Sequence, residues 1–309
     1  MAKLATREAY GKTLAKLVLE NDKIVVLDAD LSKSTKTGDA KDVCPKRHIN
    51  MGIAEANMMT VAAGMATNGE IPFASTFAMF AAGRAFEQIR NSIGYPHLNV
   101  KVCATHAGIT VGEDGATHQT FEDLALMRTI PGMVVLNPSD DVETEQVIRA
   151  ISEYNGPCYV RLGRAAVETV NTDPNYKFEI GKGYTLKQGT KVAVVATGFM
   201  VSEALSAYET LKSEGIEVTV VSIPTLKPMD TKLIVDLANS HDVIITCEEH
   251  SVIGGLGSAV SEIVTENKPV KVIKVGQLDT FGESGKPAEL LAKYQMDAKT
   301  IIAKVKENI

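Results

Sequence analysis

The sequence predicts an α/β protein with two domains, each built on an open, mostly parallel sheet that is flanked by helices. The chain has 309 residues, which suits two domains of roughly 150 residues each. Short runs rich in β-branched residues alternate with helical patterns along the whole chain. Because these runs are continuously apolar, they are typical of parallel strands that are covered on both faces and joined by right-handed crossovers.

Two groups of elements follow one another along the chain. The expected strands of the first group are 23–30, 71–76, 99–106, 133–139 and 158–163, and those of the second are 191–198, 216–224, 242–249 and 270–276. Helical patterns lie around 5–20, 53–68, 78–93, 141–153, 201–214 and 287–307. A polar, weakly periodic stretch separates the groups. We therefore predict an N-terminal domain at 1–168, a linker at 169–190 and a C-terminal domain at 191–309.

Composition narrows the class of protein. Apolar residues make up 45% of the chain and charged residues 23%, as in ordinary globular proteins. The formal net charge of −6 gives no reason to expect nucleic acid or an acidic membrane as a partner. The four cysteines form no CxxC pair, the N-terminal segment is charged throughout, and no apolar run approaches the length of a membrane span. We expect a cytoplasmic protein with reduced thiols.

Polar and aromatic residues follow several of the expected strands. In open parallel sheets, ligands bind beyond the carboxyl ends of the strands. That rule points to 30–35, 77–80, 106–118 and Arg164.

The segment N-M-G-I-A-E-A-N-M-M (50–59) places Glu55 in the first turn of an expected helix. Glutamate is common there because it complements the positive end of the helix dipole. A partly buried carboxyl that hands a proton to a ring nitrogen is the alternative.

The segment S-T-F-A-M-F (75–80) places Phe77 and Phe80 three residues apart, on one face of an expected helix. Such a pair usually packs in the core, but it could equally form a stacking surface for a flat heterocycle. Arg164, after the last strand of the first domain, is either a surface charge or a clamp for an anion such as phosphate.

The segment T-H-A-G-I-T-V-G-E-D-G-A-T-H-Q (105–119) combines two histidines, Glu113 and Asp114 with several glycines, directly after a strand. This combination favours a functional loop over a solvated one. Its spacing matches no zinc or calcium pattern, so we predict no metal site formed by this chain.

Taken in order from A-T-R (5–7) to F-G-E-S-G-K (281–286), these segments resemble the pyrimidine-binding and C-terminal domains of transketolase. The most specific pieces are G-E-D-G-A-T-H-Q, G-I-A-E and F-E-Q-I-R. The resemblance covers nearly the whole chain, which makes chance agreement of the ordered set improbable.

The resemblance implies roles for individual residues. Glu55 matches the glutamate that hydrogen-bonds the pyrimidine ring of thiamine diphosphate and serves in its activation, and Phe77 and Phe80 match aromatic residues that pack against that ring. Asp114 and His118 match residues that contact hydroxyls of the bound sugar near the reacting carbonyl, so with Glu55 they form the implied catalytic set. The residues that match the binding group for the substrate phosphate are Arg7, Ser34, His106 and Arg164.

Three departures from the family pattern stand out. Transketolases often have a histidine soon after the glutamate, whereas this chain reads E-A-N (55–57). A third aromatic residue is replaced within A-A-G-R (81–84), with a spacing that differs by one residue. The Gly-Asp-Gly segment that holds the diphosphate and its divalent metal is absent from the chain. Since Mg²⁺ prefers carboxylate, amide and phosphate oxygens, we expect a second polypeptide to supply these ligands.

The resemblance therefore implies the C-terminal subunit of a two-chain transketolase that moves a two-carbon ketol unit between sugar phosphates. Symmetry favours a heterotetramer of two copies of each chain. The alternatives are a half-chain of a 1-deoxy-xylulose-5-phosphate synthase-like enzyme, a β-subunit of a 2-oxo-acid dehydrogenase, and a non-catalytic regulatory subunit.

Overall fold

Three sheets organise the chain, and the computed structural model describes residues 3–309. The strands are β1 (Lys3–Ala5), β2 (Ile24–Asp28), β3 (His48–Asn50), β4 (Ile71–Phe77), β5 (Lys101–Thr105), β6 (Val134–Leu136), β7 (Cys158–Leu162), β8 (Ala166–Glu168), β9 (Tyr184–Lys187), β10 (Val192–Ala196), β11 (Thr219–Ser222), β12 (Thr225–Lys227), β13 (Val243–Ser251) and β14 (Lys271–Gln277).

Helices connect most of these strands. The α-helices are α1 (Thr6–Glu20), α2 (Ser32–Thr35), α3 (Gly38–Val43), α4 (Glu55–Thr67), α5 (Phe86–Gln88), α6 (Asp123–Thr129), α7 (Asp141–Glu153), α8 (Met200–Ser213), α9 (Thr231–Ser240), α10 (Leu256–Asn267), α11 (Pro287–Lys293) and α12 (Ala298–Lys306). Pro45–Arg47 and Ile109–Asp114 form 3₁₀ segments, and Phe80–Arg84 and Ile89–Gly94 form π-helical segments.

The two large sheets confirm the expected fold class. The N-terminal sheet runs β12-β6-β7-β5-β4-β2-β3, and the C-terminal sheet runs β14-β13-β10-β11-β9. Every pair within them is parallel except β12 with β6 and β11 with β9. The strands β2, β5, β6, β7, β10 and β11 are buried along their whole length, because helices cover both faces.

Several helices begin at residues that satisfy their free backbone N–H groups. Asp140, Asp230 and Asp297 each precede a helix, and their carboxylates accept from the backbone N–H three residues later. Such caps stabilise a helix by about 0.5–2 kcal/mol each. They set the starts of α7, α9 and α12.

The two domains are interlocked. β12 lies in the sequence of the C-terminal half but pairs with β6 at the edge of the N-terminal sheet. One hydrophobic cluster also contains residues of both sheets, such as Val102 and Tyr159 with Val195 and Val221. The two domains therefore bury apolar surface against each other.

Three of the expected elements differ from those in the structure. The helix expected at 78–93 is interrupted by the two π-helical segments, and the helix expected at 287–307 is divided into α11 and α12. The stretch predicted as a linker contains β9, which joins the C-terminal sheet. The predicted domain boundaries themselves stay a prediction.

Within residues 3–309, no helix combines the length and the apolar character that a crossing of a membrane requires. The cytoplasmic location stays a prediction.

Candidate active site

The candidate site lies at the carboxyl edge of the N-terminal sheet. Neighbouring strands β7, β5, β4 and β2 are parallel, so their carboxyl ends meet at the same edge. Arg164, His106 and Ser34 follow β7, β5 and β2, and Phe77 is the last residue of β4. The topology thus brings together residues that are far apart in the sequence, as the rule for open parallel sheets requires.

Aromatic rings form the centre of the site. The ring of Phe77 stacks on that of His106, with centroids 3.9 Å apart, and on that of Phe80, with centroids 5.8 Å apart. His118 meets the edges of Phe77 and Phe80 at 6.1 and 5.5 Å. Edge-to-face contacts such as those of His118 are among the arrangements that aromatic rings favour. Together the ring contacts join residues from three different segments into one surface.

Glu55 is buried and has one charged partner. It is the first residue of α4, its side chain is 4% exposed, and its carboxylate oxygens accept from an Arg84 Nη at 3.2 and 3.4 Å. The Arg84 guanidinium also lies over the Phe80 ring, 4.2 Å from its centroid. Arg84 itself is 55% exposed, so it covers the carboxylate from the solvent side.

The contacts of Arg84 with Glu55 and Phe80 indicate that a pyrimidine ring could bind beside these two residues. A guanidinium is flat and presents N–H donors. Here it lies on an aromatic face and donates to a buried carboxylate, and an aminopyrimidine needs the same two kinds of contact. Glu55 and Phe80 therefore have the chemical character that fits such a ring.

His106 is held in an unusual conformation and in its neutral form. Its φ of 57° lies in the left-handed region, which non-glycine residues seldom adopt. Burial, together with the charges of Arg7 and Arg164, lowers the pKa of His106 to about 3. Arg7 can only donate, so Nε2 of His106 accepts from it at 3.2 Å and Nδ1 donates to the Thr105 hydroxyl at 2.9 Å.

A cationic group surrounds His106. Arg7 donates to the backbone oxygen of Ser34 at 2.8 Å, and its buried Nε has no hydrogen-bond partner among residues 3–309. Arg164 donates to the backbone oxygen of Val111 and to the Glu113 carboxylate, both at 2.9 Å. Two guanidinium groups beside a histidine form a suitable site for a phosphate or a similar anion.

The short helix α2, which carries Ser34, is held at both ends by the buried Asp28 at the end of β2. Its carboxylate accepts from the hydroxyls of Thr35 and Thr37 at 2.7 and 2.9 Å and from the backbone N–H of Leu31 at 2.5 Å. A buried carboxylate needs such donors, because an unsatisfied charge is costly. Asp28 therefore fixes the segment whose Ser34 backbone oxygen accepts from Arg7.

The structure brings most of the expected site residues together, but not all in the expected way. Ser34 contacts Arg7 through its backbone oxygen rather than its hydroxyl. Asp114 is exposed in the 3₁₀ segment, and within residues 3–309 it makes no hydrogen bond or ion pair with the other site residues. The assigned roles stay predictions.

Two residues that sequence reasoning did not select also belong to the site. Arg84 pairs with Glu55, and Glu113 pairs with Arg164. The departure at A-A-G-R was a signal for Arg84, whereas Glu113 stood in the selected loop without a role. In this structure both Arg84 and Arg164 are therefore paired with carboxylates of the same chain.

Within residues 3–309, no three His, Cys, Asp or Glu side chains come close enough together to hold a metal ion.

Sequence comparisons match the two halves to two domain families. The family described as transketolase, pyrimidine binding domain, matches residues 2–169, and the family described as transketolase, C-terminal domain, matches residues 181–301.

Individual relatives cover almost the whole chain. A protein of Methanocaldococcus jannaschii, provisionally named a transketolase C-terminal section, is 49% identical over 98% of this chain and 96% of its own length. The 6-deoxy-6-sulfo-D-fructose transketolase subunit of a Clostridium species is 40% identical over 96% of this chain and 92% of its own length.

A solved structure has the same fold at high similarity. It is a split-gene transketolase described as an inactive β4 tetramer, 54% identical to this chain, with a TM-score of 0.92. The match covers 99% of this chain and 98% of that one.

Proposed function

This chain belongs to the transketolase family, and on that basis we propose that it is the C-terminal subunit of a two-chain, thiamine-diphosphate-dependent transketolase. The enzyme would move a two-carbon ketol unit between sugar phosphates. One observation carries the proposal. Phe77 stacks with His106 at 3.9 Å and with Phe80 at 5.8 Å, so the residues suited to a pyrimidine ring adjoin those suited to an anion.

The residues of this chain suit one half of the cofactor. When bound, thiamine diphosphate supplies an electron sink for breaking and forming a carbon–carbon bond next to a carbonyl. Glu55 would hydrogen-bond the pyrimidine ring and hold a proton at its ring nitrogen, and Phe77 and Phe80 would pack against the ring. Arg84 would have to leave Glu55 for this contact to form.

The substrate would be gripped at two places. Arg7 and Arg164 would bind its phosphate, which lies far from the reacting carbon. His106 would also donate to the phosphate from Nε2, once its proton has moved there from Nδ1 and Arg7 has turned from Nε2 to the phosphate. His118, whose ring contacts Phe77 and Phe80, and Asp114 would bind hydroxyl groups near the carbonyl. Binding energy gained at the remote phosphate can orient the reacting end of the sugar.

A partner chain would complete the site. We propose that it carries the diphosphate-binding domain with the ligands of Mg²⁺ or another divalent metal, and that two copies of each chain form a heterotetramer. The Methanocaldococcus jannaschii relative, named as a C-terminal section and matched over 96% of its own length, supports this arrangement. The solved split-gene relative, a tetramer of β chains described as inactive, supports it further.

The decisive experiment assays this chain with and without a chain that bears the diphosphate-binding domain. Alone, with cofactor and Mg²⁺ in excess, it should transfer no ketol unit, and the mixture should transfer it. Full activity of this chain alone would contradict the two-chain proposal.

The same assay compares donors and thereby separates the alternatives. Ketose phosphates should be good donors, whereas pyruvate would favour a synthase or a 2-oxo-acid dehydrogenase. The panel includes 6-deoxy-6-sulfofructose, because the Clostridium relative is named for that sugar. No transfer from any donor in the complete mixture would favour a regulatory subunit.

A further inference from the structure

The loop between Gly108 and Thr120, which carries Asp114 and His118, is closed at its base by a single backbone hydrogen bond. The N–H of Gly108 donates to the backbone oxygen of Thr120 at 3.0 Å. Within the loop the backbone forms a short 3₁₀ segment, Ile109–Asp114. The N–H groups of His118 and Gln119 also donate to the backbone oxygen of Gly115, both at 3.0 Å, but these bonds do not join the loop to the rest of the chain. A loop that presents functional side chains therefore needs further contacts to fix its position.

Glu249 of the C-terminal domain supplies one support. It lies in β13, it is 4% exposed, and its carboxylate accepts from the backbone N–H of Thr110 at 2.5 Å. Gly108 faces the same carboxylate with a φ of +79°, and a Cβ there would lie 2.5 Å from the carboxylate oxygen. Since no side chain fits between them, the base of the loop and Glu249 are in direct contact.

Arg161 links Thr120, at the C-terminal end of the loop, to Glu249 in β13. One of its Nη atoms donates to the backbone oxygens of Thr120 at 3.3 Å and of Glu249 at 2.7 Å. Its Nε donates to the buried carboxylate of Asp123 at 3.1 Å. The guanidinium is 3% exposed, so these bonds are shielded from water and salt.

The F-G-E-S-G segment (281–285) supports the tip of the loop. Gln119 donates to the backbone oxygen of Glu283 at 2.9 Å, and also to the backbone oxygens of Ile109 and Gly112 inside the loop. A Cβ on Gly115 would lie 2.4 Å from the Ser284 hydroxyl. The two motifs 112–119 and 281–285, separated by more than half the chain, therefore form one contact.

We infer that Glu249 is a positioning residue through which the C-terminal domain holds the loop in the shape that presents His118 and Asp114 to the substrate. It acts through the N–H of Thr110 and does not touch the substrate. The kinetic consequence rests on the proposed function, whereas the structural consequence does not. Both Thr110 and Glu249 are buried, so loss of the Glu249 oxygen would leave the N–H of Thr110 without an acceptor, which is costly away from water.

Amide hydrogen exchange on the full chain tests the inference without any assay of activity. In Glu249→Ala, amides of residues 108–120 should exchange at least about tenfold faster than in the wild type. In Glu249→Gln, whose amide oxygen can still accept from Thr110, they should stay within about threefold of the wild type. A protection pattern in Glu249→Ala equal to that of the wild type overturns the inference.

Glu203→Ala is the matched control. Glu203, in α8, accepts from the backbone N–H of Ala298 at 2.8 Å inside the C-terminal domain. Its removal should lower the melting temperature and leave exchange at 108–120 unchanged. If both alanine variants accelerate exchange there equally, the effect is a general loss of stability and the inference fails.

Kinetics with the partner chain provide the second measurement. Glu249→Ala should lower kcat at least about tenfold while the Kd for thiamine diphosphate changes less than threefold, because Glu55, Phe77 and Phe80 lie outside the loop. An equal loss of cofactor affinity contradicts the inference. An inactive wild-type complex defeats the proposed function, yet the exchange result still decides the role of Glu249.

Gly108→Ala covers the case in which Glu249→Ala does not fold. An added Cβ would clash with the Glu249 carboxylate and would also strain the backbone at the φ of +79°, so exchange at 108–120 should rise. If this variant folds with the loop as protected as in the wild type, the inference is wrong.

Discussion

Arg84 and Glu55 form an ion pair of 3.2 Å in which the carboxylate is buried and the arginine is 55% exposed. The pair occupies the carboxylate that thiamine diphosphate is proposed to need. In a chain without cofactor, Arg84 therefore spares Glu55 the cost of an unpaired buried charge.

Removal of Arg84 should ease the binding of thiamine diphosphate. A pair with one exposed partner contributes about 0.2–1 kcal/mol, so Kd measured by calorimetry in the two-chain complex should fall by a factor of about 1.4 to 5 in Arg84→Ala. Arg90→Ala is the control. It removes an exposed arginine from the next π-helical segment, Ile89–Gly94, and should leave Kd unchanged. A weaker affinity in Arg84→Ala would mean that the arginine helps to hold the cofactor.

Glu55→Gln should impair turnover much more than cofactor binding. The substitution keeps the shape of the side chain but removes the group that exchanges a proton with the ring. General acid–base roles contribute about 10²–10⁴ in rate, so kcat should fall by about that factor. Steady-state kinetics and a binding titration on the same preparation measure both quantities. Turnover within threefold of the wild type would return Glu55 to the role of a helix-dipole partner.

His106→Asn should separate substrates by their phosphate group. Asparagine tolerates the positive φ at this position, so the backbone need not change. Hydrogen bonds to a charged group contribute about 1.5–3 kcal/mol, and KM for phosphorylated sugars should rise about tenfold or more with little change in kcat. An acceptor without phosphate should keep its KM. Equal losses for both acceptors would contradict the phosphate assignment.

Stability against acid should also depend on His106. Its pKa is about 3 in the folded chain and about 6.5 when unfolded, so between these values the unfolded chain binds a proton that the folded chain does not. This contribution to stability is complete above pH 6.5 and is lost as the pH falls. At pH 5 the loss amounts to about 2 kcal/mol.

Denaturant unfolding of His106→Asn from pH 8 to pH 5 measures this contribution, since the other titrating groups cancel in the difference from the wild type. The variant should lose about 2 kcal/mol less than the wild type on acidification. His97→Asn is the matched control, because His97 is exposed and has a similar φ of 56°. It should follow the wild type, and identical curves for all three proteins would show that His106 is not held neutral.

Sequence patterns predicted the long buried strands and the edge of the sheet at which the site lies, because continuous apolar runs and chain order carry that information. They did not predict β12, whose three residues pair with a strand of the other domain. The π-helical segment Phe80–Arg84 contains the A-A-G-R stretch (81–84), and a helical pattern in the sequence does not distinguish a π turn from an α turn.

Contacts between distant parts of the chain could not be predicted from the sequence either. Glu249 follows Thr110 by 139 residues, and nothing in its neighbourhood of the sequence points to a loop in the other domain. The ion pair of Arg84 with Glu55 depends on where a helix and a π-helical segment lie in space. Such pairs arise from tertiary packing, which periodicity does not report.

The pairing of β12 with β6 limits how this chain can be divided or recombined. A fragment that ends before Thr225 would leave β6 as an open edge, with unpaired backbone groups ready to join a strand of another molecule. In a chimaera that takes one domain from a relative, β12 of one protein would have to pair with β6 of the other. An engineered chimaera should therefore exchange the two domains together.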